Sequence, residues 1–260
     1  YTVGAFGALY CAIVLQLPWY VCLLAAMLLG AIWGAIPGFF KAYLNVNEVI
    51  TAIMFNWIGL YAVNTIMYQG GKSPMFDIKT TKTLRVVQAS PDSLLPTFNV
   101  QVNGEPYFGK FPPVINYEPS IGILIAIAVA ILVWFILNKT TFGYELKACG
   151  HNKNAAKYAG INEKKNIVLS MTIAGALAGL GGFVYALTTA NCSSNGDVAG
   201  FGFLALAVMI FGNWNILPTA AVCLFFGLAK SGGYQLCLHM GLPSNYSDIF
   251  MMLPYVLTLI

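Results

Sequence analysis

Charge is what this sequence has least of. Asp, Glu, Lys and Arg make up 8% of its 260 residues, against roughly 25% in an average soluble domain. So few charges exclude a soluble globular enzyme, a disordered chain and a nucleic-acid-binding module. Histidine is scarcer still. His151 and His239 stand far apart in the sequence, which leaves no pattern for a histidine-based metal site. The cysteines at positions 11, 22, 149, 192, 223 and 237 form no CxxC pair, so they read as scattered thiols outside any disulfide framework. A phosphate-binding loop is missing too. Gly70-Gly71-Lys72-Ser73 resembles the end of one, but Ile66 stands where the pattern needs its first glycine. Pro74 also opposes the helix start that such a loop requires. There is no HExxH and no local serine or cysteine nucleophile signature. The chain therefore carries no nucleotide-hydrolysing motor, and no catalytic residue is assigned.

What is present is apolar. Hydrophobic residues make up 58% of the chain and the mean hydropathy is +0.74, so its main solvent is lipid. Apolar runs cover Thr2–Leu15, Pro18–Ile36, Glu48–Met67, Ile121–Leu137, Ile167–Leu187, Phe201–Ala229 and Ile249–Ile260. Their lengths suit membrane helices, not the ~10-residue alternating strands of an outer-membrane barrel. The expected fold is an all-α, polytopic transmembrane helical bundle forming a single domain over residues 1–260. Thr2–Leu15 is about 21 Å long as a helix, short of the ~30 Å hydrocarbon core. The last run stops at Ile260 and the first residue is not Met, so both ends read as truncated.

Sidedness follows from the basic residues. The connection Asn138–Asn166 holds lysines 139, 147, 153, 157, 164 and 165 and is placed in the cytoplasm. Tyr68–Pro119, long, polar and rich in Pro and Gly, then lies outside, although it carries Lys72, Lys79, Lys82, Arg85 and Lys110. Long loops obey the rule poorly. Its charges suit either salt bridges to a docked protein or a solvated cap. Lys41 and Lys230 fall inside on the same count, and the Lys/Arg-free stretch Thr188–Gly200 falls outside. Within Phe201–Ala229, Gly212, Asn213-Trp214-Asn215 and Pro218 interrupt the apolar run. This predicts a discontinuous membrane segment, a kinked span or a re-entrant pair. Gly30/Gly34/Gly38 and Gly175/Gly179 recur at helical spacing; such faces let helix backbones approach closely, within the subunit or between subunits.

The basic connection reads as a compact structure. Helical stretches are expected over Tyr144–Cys149 and Asn154–Ala159, with Gly150 as the stop between them and Asn154 as cap of the second. A positive, folded knob between two spans suits docking to another protein, or simply holds topology.

Its sequence carries a resemblance. Thr140 or Thr141, Gly143, Lys147, Ala148, Gly150, Asn152, Ala155, Ala156, Gly160 and Ile161 fit the cytoplasmic signature of ABC-importer permeases of the branched-chain amino acid/ribose/nucleoside class. Gly38-Phe39-Phe40-Lys41-Ala42 with Asn47-Glu48-Val49-Ile50-Thr51-Ala52-Ile53-Met54-Phe55-Asn56 is similar to its nucleoside/simple-sugar branch. Gly200-Phe201-Gly202-Phe203 with Ala207-Val208 and Gly212 through Pro218 resembles that family's discontinuous segment. Two positions depart from the pattern: Lys147 often has Arg in the family, and Asn213 often has a basic residue.

The resemblance implies a multi-pass permease in the cytoplasmic membrane of a bacterium, importing nucleosides or related simple sugars. It implies an ATPase subunit, a second permease subunit of the same or a paralogous kind, and an extracytoplasmic substrate-binding protein or lipoprotein. ATP and Mg belong to the ATPase, and this chain binds no cofactor and no nucleic acid. Gly143, Glu145, Lys147, Gly150, Asn152, Ala155, Ala156 and Gly160 fall in the loop that couples to the ATPase.

The residues of the third apolar run suggest a path. Asn47 suits an N-cap and Glu48 the positive end of the helix dipole; the same residues suit an inner gate. Asn56 lies roughly 12 Å deeper, near the bilayer middle. Polar groups there mark a pathway or helix–helix bonding. Its amide can pair with a nucleobase edge or a sugar hydroxyl, and Phe55 and Trp57 flank it with stacking faces. Glu48 and Asn56 differ by about 80° around the helix, and Thr51 lies about 60° to the other side of Glu48. Asn64 falls nearer the outer mouth. The competing readings are an ATP-independent secondary transporter or channel for small polar solutes, and an intramembrane enzyme.

Overall fold

The computed structural model describes residues 1–68, 73–77, 82–84, 86–93, 95, 101–102, 105–106, 121–188 and 201–239. Ten helices follow in chain order among them: α1 Thr2–Ile13, α2 Trp19–Leu44, α3 Glu48–Tyr68, α4 Val86–Ala89, α5 Gly122–Lys139, α6 Thr141–His151, α7 Lys153–Tyr158, α8 Glu163–Thr188, α9 Phe201–Phe211 and α10 Ile216–His239. Four of these, α2, α3, α5 and α8, are long and apolar enough to cross a membrane. The expected all-α membrane fold is the one observed. Two antiparallel ladders, Phe76–Asp77 (β1) with Lys82–Thr83 (β2) and Gln101–Val102 (β3) with Glu105–Pro106 (β4), are confined to the polar connection. The apolar run Ile249–Ile260, the connection 189–200 and the side chains of Lys72, Lys79, Lys82, Arg85 and Lys230 lie outside the described residues.

The chain divides into two compact units, Tyr1–Pro96 with Phe135–Val198, and Thr97–Trp134 with Ala199–Ile260. The first is built on α1, α2 and α8 packed against one another. Glycine makes this packing possible. A Cβ on Gly34 would meet the Met171 carbonyl oxygen at 2.7 Å and the Gly175 Cα at 2.8 Å, and one on Gly175 would meet the Gly34 Cα at 2.9 Å. Gly30 lies against Gly175 and Gly179, and Gly4 of α1 lies against Gly179 from the other side. The stripe read from the sequence is therefore an internal seam between α2 and α8. Dispersion between closely set backbones holds it, because lipid supplies little hydrophobic drive between helices.

That seam explains a difference from the sequence reading. Pro37 and Gly38 suggest an end to the second span near Ile36, yet α2 runs on to Leu44 with Pro37 inside it. Gly38 still packs on α8, a Cβ there meeting the Val168 Cα at 3.3 Å. Tertiary packing thus outweighs the one backbone bond that proline removes. The helix ends at Asn45, whose left-handed φ of 51° turns the chain towards α3.

The two ends of this unit are distinct. At one, Lys41 pairs with Glu48, and the Lys164 ammonium lies 5.2 Å from the centre of the Tyr43 ring. The end of α2 and the starts of α3 and α8 therefore share one face, as the lysine count requires. At the other, the Ser93 hydroxyl donates to the Leu17 carbonyl at 2.6 Å and sits 2.8 Å from the Ser90 hydroxyl. Ser93, Met75 and Val86 are fully buried there. The start of the Tyr68–Pro119 connection is thus folded onto the α1–α2 turn.

In the second unit, α9 and α10 form a hairpin. Phe211 and Phe226 rings lie 5.8 Å apart, Ala207, Val208 and Phe226 share one buried cluster with Leu204 and Val222, and Gly212 abuts Thr219. Those pairings fit only a chain that turns back at residues 212–215. Asn213 and Trp214 hold left-handed φ values of 46° and 60° at the bend. The discontinuity anticipated over Phe201–Ala229 is therefore a hairpin of two helices, with the break at residues 212–215.

Candidate functional site

Two features of the first unit gather the residues singled out from the sequence: a knob at the lysine-rich end and a cleft inside the helices.

The knob is α6 and α7. Its break falls two residues beyond the expected one. Gly150 lies within α6, facing open space, where a helical glycine costs only about 1 kcal/mol relative to alanine. The chain breaks at Asn152, in extended conformation, whose Oδ1 accepts from the Asn154 and Ala155 amides at 3.0 and 3.1 Å. Asn152, not Asn154, is thus the cap of the second helix. Two satisfied amides outweigh the tolerance of the helix for Gly150. Thr140 caps α6 through the Gly143 amide at 3.2 Å, and Gly160 ends the pair at a φ of 82°.

The knob is fixed to the spans at several points. The Thr140 hydroxyl donates to the Ile136 carbonyl at 2.6 Å. Gly143 is buried, and a Cβ there would meet the Leu137 carbonyl carbon at 2.6 Å. Lys147 Nζ donates to Asn138 Oδ1 at 2.8 Å. The Glu145 carboxylate accepts from Asn166 Nδ2 at 2.9 Å; Asn166 is only 3% exposed and belongs to α8. Glu145, Lys147 and Gly143 therefore set the knob's posture against α5 and α8. Its outer face carries a groove of about 620 Å³ lined by Tyr144, Ala148, His151, Asn152, Ala155 and Ala159. Tyr158 is 94% exposed beside it.

The cleft lies between α3 and the α2/α8 pair and holds about 290 Å³. Trp33, Phe55, Asn56, Gly59, Met171 and Ala174 are among its lining. The Phe55 and Trp33 rings meet edge to face, centroids 5.7 Å apart at 68°. Asn56 alone of the five polar residues proposed for a path stands in it. The others have local partners or lie elsewhere. Asn47 Oδ1 accepts from the Val49 amide at 2.9 Å, a helix cap. The Thr51 hydroxyl is buried and donates to the Asn47 carbonyl at 2.9 Å. Glu48 is held by Lys41. Asn64 sits towards the far end of α3, its Oδ1 buried with no hydrogen-bond donor among the described residues.

Three participants escaped the sequence reading. Trp33 is hidden within a glycine-spaced run, Asn166 sits at the edge of an apolar one, and Gly59 shows no pattern at all. Only the i, i+3, i+4, i+7 spacing of Gly30, Trp33, Gly34 and Pro37 along α2 hints that Trp33 shares the face turned to the seam.

Comparison with known proteins places this architecture. The family of branched-chain amino acid transport system permease components matches residues 1–259. The guanosine ABC transporter permease protein NupP of Bacillus subtilis is 36% identical over 87% of the chain and 60% of its own length. The nucleoside ABC transporter permease protein NupB of Lactococcus lactis is 32% identical over 79% of the chain and 54% of its own. The Bacillus subtilis guanosine permease NupQ is 32% identical over 94% of the chain and 72% of its own. The chain thus spans between half and three quarters of these relatives. No solved structure matches it.

Proposed function

Because the chain belongs to the family of branched-chain amino acid transport system permease components, we propose that it is the membrane-spanning permease subunit of an ATP-driven importer for nucleosides. The observation that carries this reading is the folded knob of α6 and α7, anchored to α8 through Glu145 and Asn166 while its grooved face stays open. A partner ATPase supplies the energy, holding ATP and Mg itself. Its closure pushes on the knob, and α8 carries the movement to the helices packed on it. Gly143, Glu145 and Lys147 hold the knob to the spans. Gly150, Asn152, Ala155, Ala156 and Gly160 shape the surface that meets the ATPase. A second permease subunit and an extracytoplasmic binding protein complete the assembly in the cytoplasmic membrane.

The path runs along α3. Asn47, Glu48 and Thr51 form its inner mouth, Asn56 its middle and Asn64 its outer part. The Lys41–Glu48 pair closes the inner mouth in the resting state. Relatives described as guanosine and nucleoside permeases support nucleosides over simple sugars.

Uptake of labelled purine and pyrimidine nucleosides, in cells with and without the gene, tests the cargo. Loss of vanadate-sensitive uptake on deletion, not competed by unlabelled ribose, is the expected result. Unchanged nucleoside uptake on deletion, in a parent strain shown to contain the protein, removes the cargo assignment.

A further inference from the structure

Asn56 brings a free carboxamide into an apolar cleft. Its neighbours there are aromatic, sulfur-containing or small: Trp33, Phe55, Gly59, Met171 and Ala174. Among the described residues, the Asn56 side chain has no hydrogen-bond partner, unlike Asn47, Asn152 and Asn166. Asn56 is exposed on the cleft, in a helix long and apolar enough to cross a membrane, where an amide is costly unless paired, so the cleft suits a ligand that brings a partner with it. The chemistry of that partner can be read from the amide. It offers one acceptor and two donors in a plane, a pattern complementary to a heterocycle edge that sets a donor beside an acceptor, as in the two-bond pairing of Asn with adenine. The walls agree. Phe55 and Trp33 present ring faces and edges at a right-angle-like 68°, and a flat heterocycle stacks on such surfaces whichever base it is.

The cleft is also sized by one residue. Gly59 lies against the indole of Trp33, where a Cβ would meet Cζ2 at 3.1 Å and Cε2 at 3.3 Å. Glycine at this position lets the indole lie back along α3. A side chain there pushes the ring into a space of about 290 Å³, already at the small end of ligand cavities.

We propose that the cleft between α3 and the α2/α8 pair is a base-reading subsite, in which the Asn56 carboxamide pairs with the polar edge of a nucleobase stacked against Phe55 and Trp33, and Gly59 sets the width. This rests on the nucleoside reading above and adds the residues that discriminate among bases.

The test is competitive uptake by the complete importer, in cells stripped of other nucleoside uptake. Labelled adenosine is supplied together with purine riboside, the same nucleoside without the exocyclic amine. The readout is the preference for adenosine, a ratio that does not depend on how much protein is inserted. A preference of about tenfold, the scale of one two-bond base contact, is expected for the unaltered protein. Asn56→Leu is expected to bring it close to one. Gly59→Ala, which leaves the amide in place, is expected to raise the KM for purine nucleosides several-fold while kcat holds. The subsite is overturned if Asn56→Leu keeps the full preference, if Gly59→Ala leaves KM unchanged, or if the unaltered importer takes both nucleosides equally. Absence of all nucleoside uptake by the unaltered importer would be a different failure, that of the nucleoside reading itself, and the subsite falls with it.

Discussion

Gly34→Leu is expected to leave almost no folded permease in the membrane. At this point α2 and α8 touch backbone to backbone. The first added carbon would already lie 2.7 Å from the Met171 carbonyl oxygen and 2.8 Å from the Gly175 Cα. Neither atom belongs to a flexible side chain, so the helices must part. Overpacking ordinarily costs about 1–3 kcal/mol, and a leucine here also opens the contacts of Gly30 and Gly38 on the same stripe. Native stability is only about 5–15 kcal/mol in all, and α1 depends on the same seam through Gly4 and Gly179. Gly34→Ala should be milder, since it adds only the Cβ with its contacts to the Met171 oxygen and the Gly175 Cα. Gly227→Ala is the control: a Cβ there meets nothing within 4 Å, and alanine is the better helix former by about 1 kcal/mol. The amount of monodisperse protein recovered in mild detergent, and its thermal midpoint, rank the three. Equal recovery of Gly34→Leu and the parent would mean that the seam does not hold the helices.

The second large effect concerns the knob. Glu145→Ala is expected to cut transport at least tenfold while the subunit remains inserted. The substitution removes the closer and stronger of two acceptors for Asn166 Nδ2, 2.9 Å away, on a residue that is 3% exposed. A hydrogen bond to a charged group contributes about 1.5–3 kcal/mol, and the stranded amide adds its desolvation cost. The knob then keeps its tethers at Thr140 and Lys147, and of its two side-chain hydrogen bonds to Asn166 of α8 only the long one from Nδ2 to Cys149 Sγ at 4.0 Å is left. Glu145→Gln retains a carbonyl acceptor at the same place and should restore much of the activity. The informative measurement is the ratio of ATP hydrolysed to nucleoside imported by the whole importer. A broken tether raises that ratio several-fold, whereas a merely unstable protein lowers both rates together. An unchanged ratio in Glu145→Ala would reduce the Glu145–Asn166 bond to packing.

Much of this was legible in the residues, and the exceptions have physical causes. Apolar run lengths located α2, α3, α5 and α8 because a ~30 Å core demands about 20 such residues. The lysine count put Lys41, Lys164 and the knob on one face, where Tyr43, Lys164, Lys41 and Glu48 are found together. The glycine spacing announced a close helix pair, though not which pair, since contact partners are a property of the fold. Composition locates a span but says nothing about its direction. Gly212, Asn213, Asn215 and Pro218 announced a break within Phe201–Ala229, but a kink and a reversal share that signature, and only the left-handed Asn213 and Trp214 tell them apart. Gly150 and Asn152 show a similar limit. A glycine weakens a helix without ending it, while a side-chain oxygen placed to accept two amides starts a new one. Of the candidate site, Asn56 was visible as a lone amide at membrane depth. Trp33 and Gly59 were not, because an aromatic beside a glycine matters only once α2 and α3 are set side by side.

On the proposed function, nucleoside moves along this chain only when a partner ATPase drives the knob. Uptake of labelled nucleoside into proteoliposomes holding the complete importer, with its binding protein outside and nucleotide within, measures that directly. Accumulation against a gradient with Mg-ATP, and none with a non-hydrolysable analogue or with the α6–α7 sequence scrambled, is the expected result. Equal accumulation without hydrolysable nucleotide, or with the scrambled knob, would contradict the account and favour a transporter that runs without ATP.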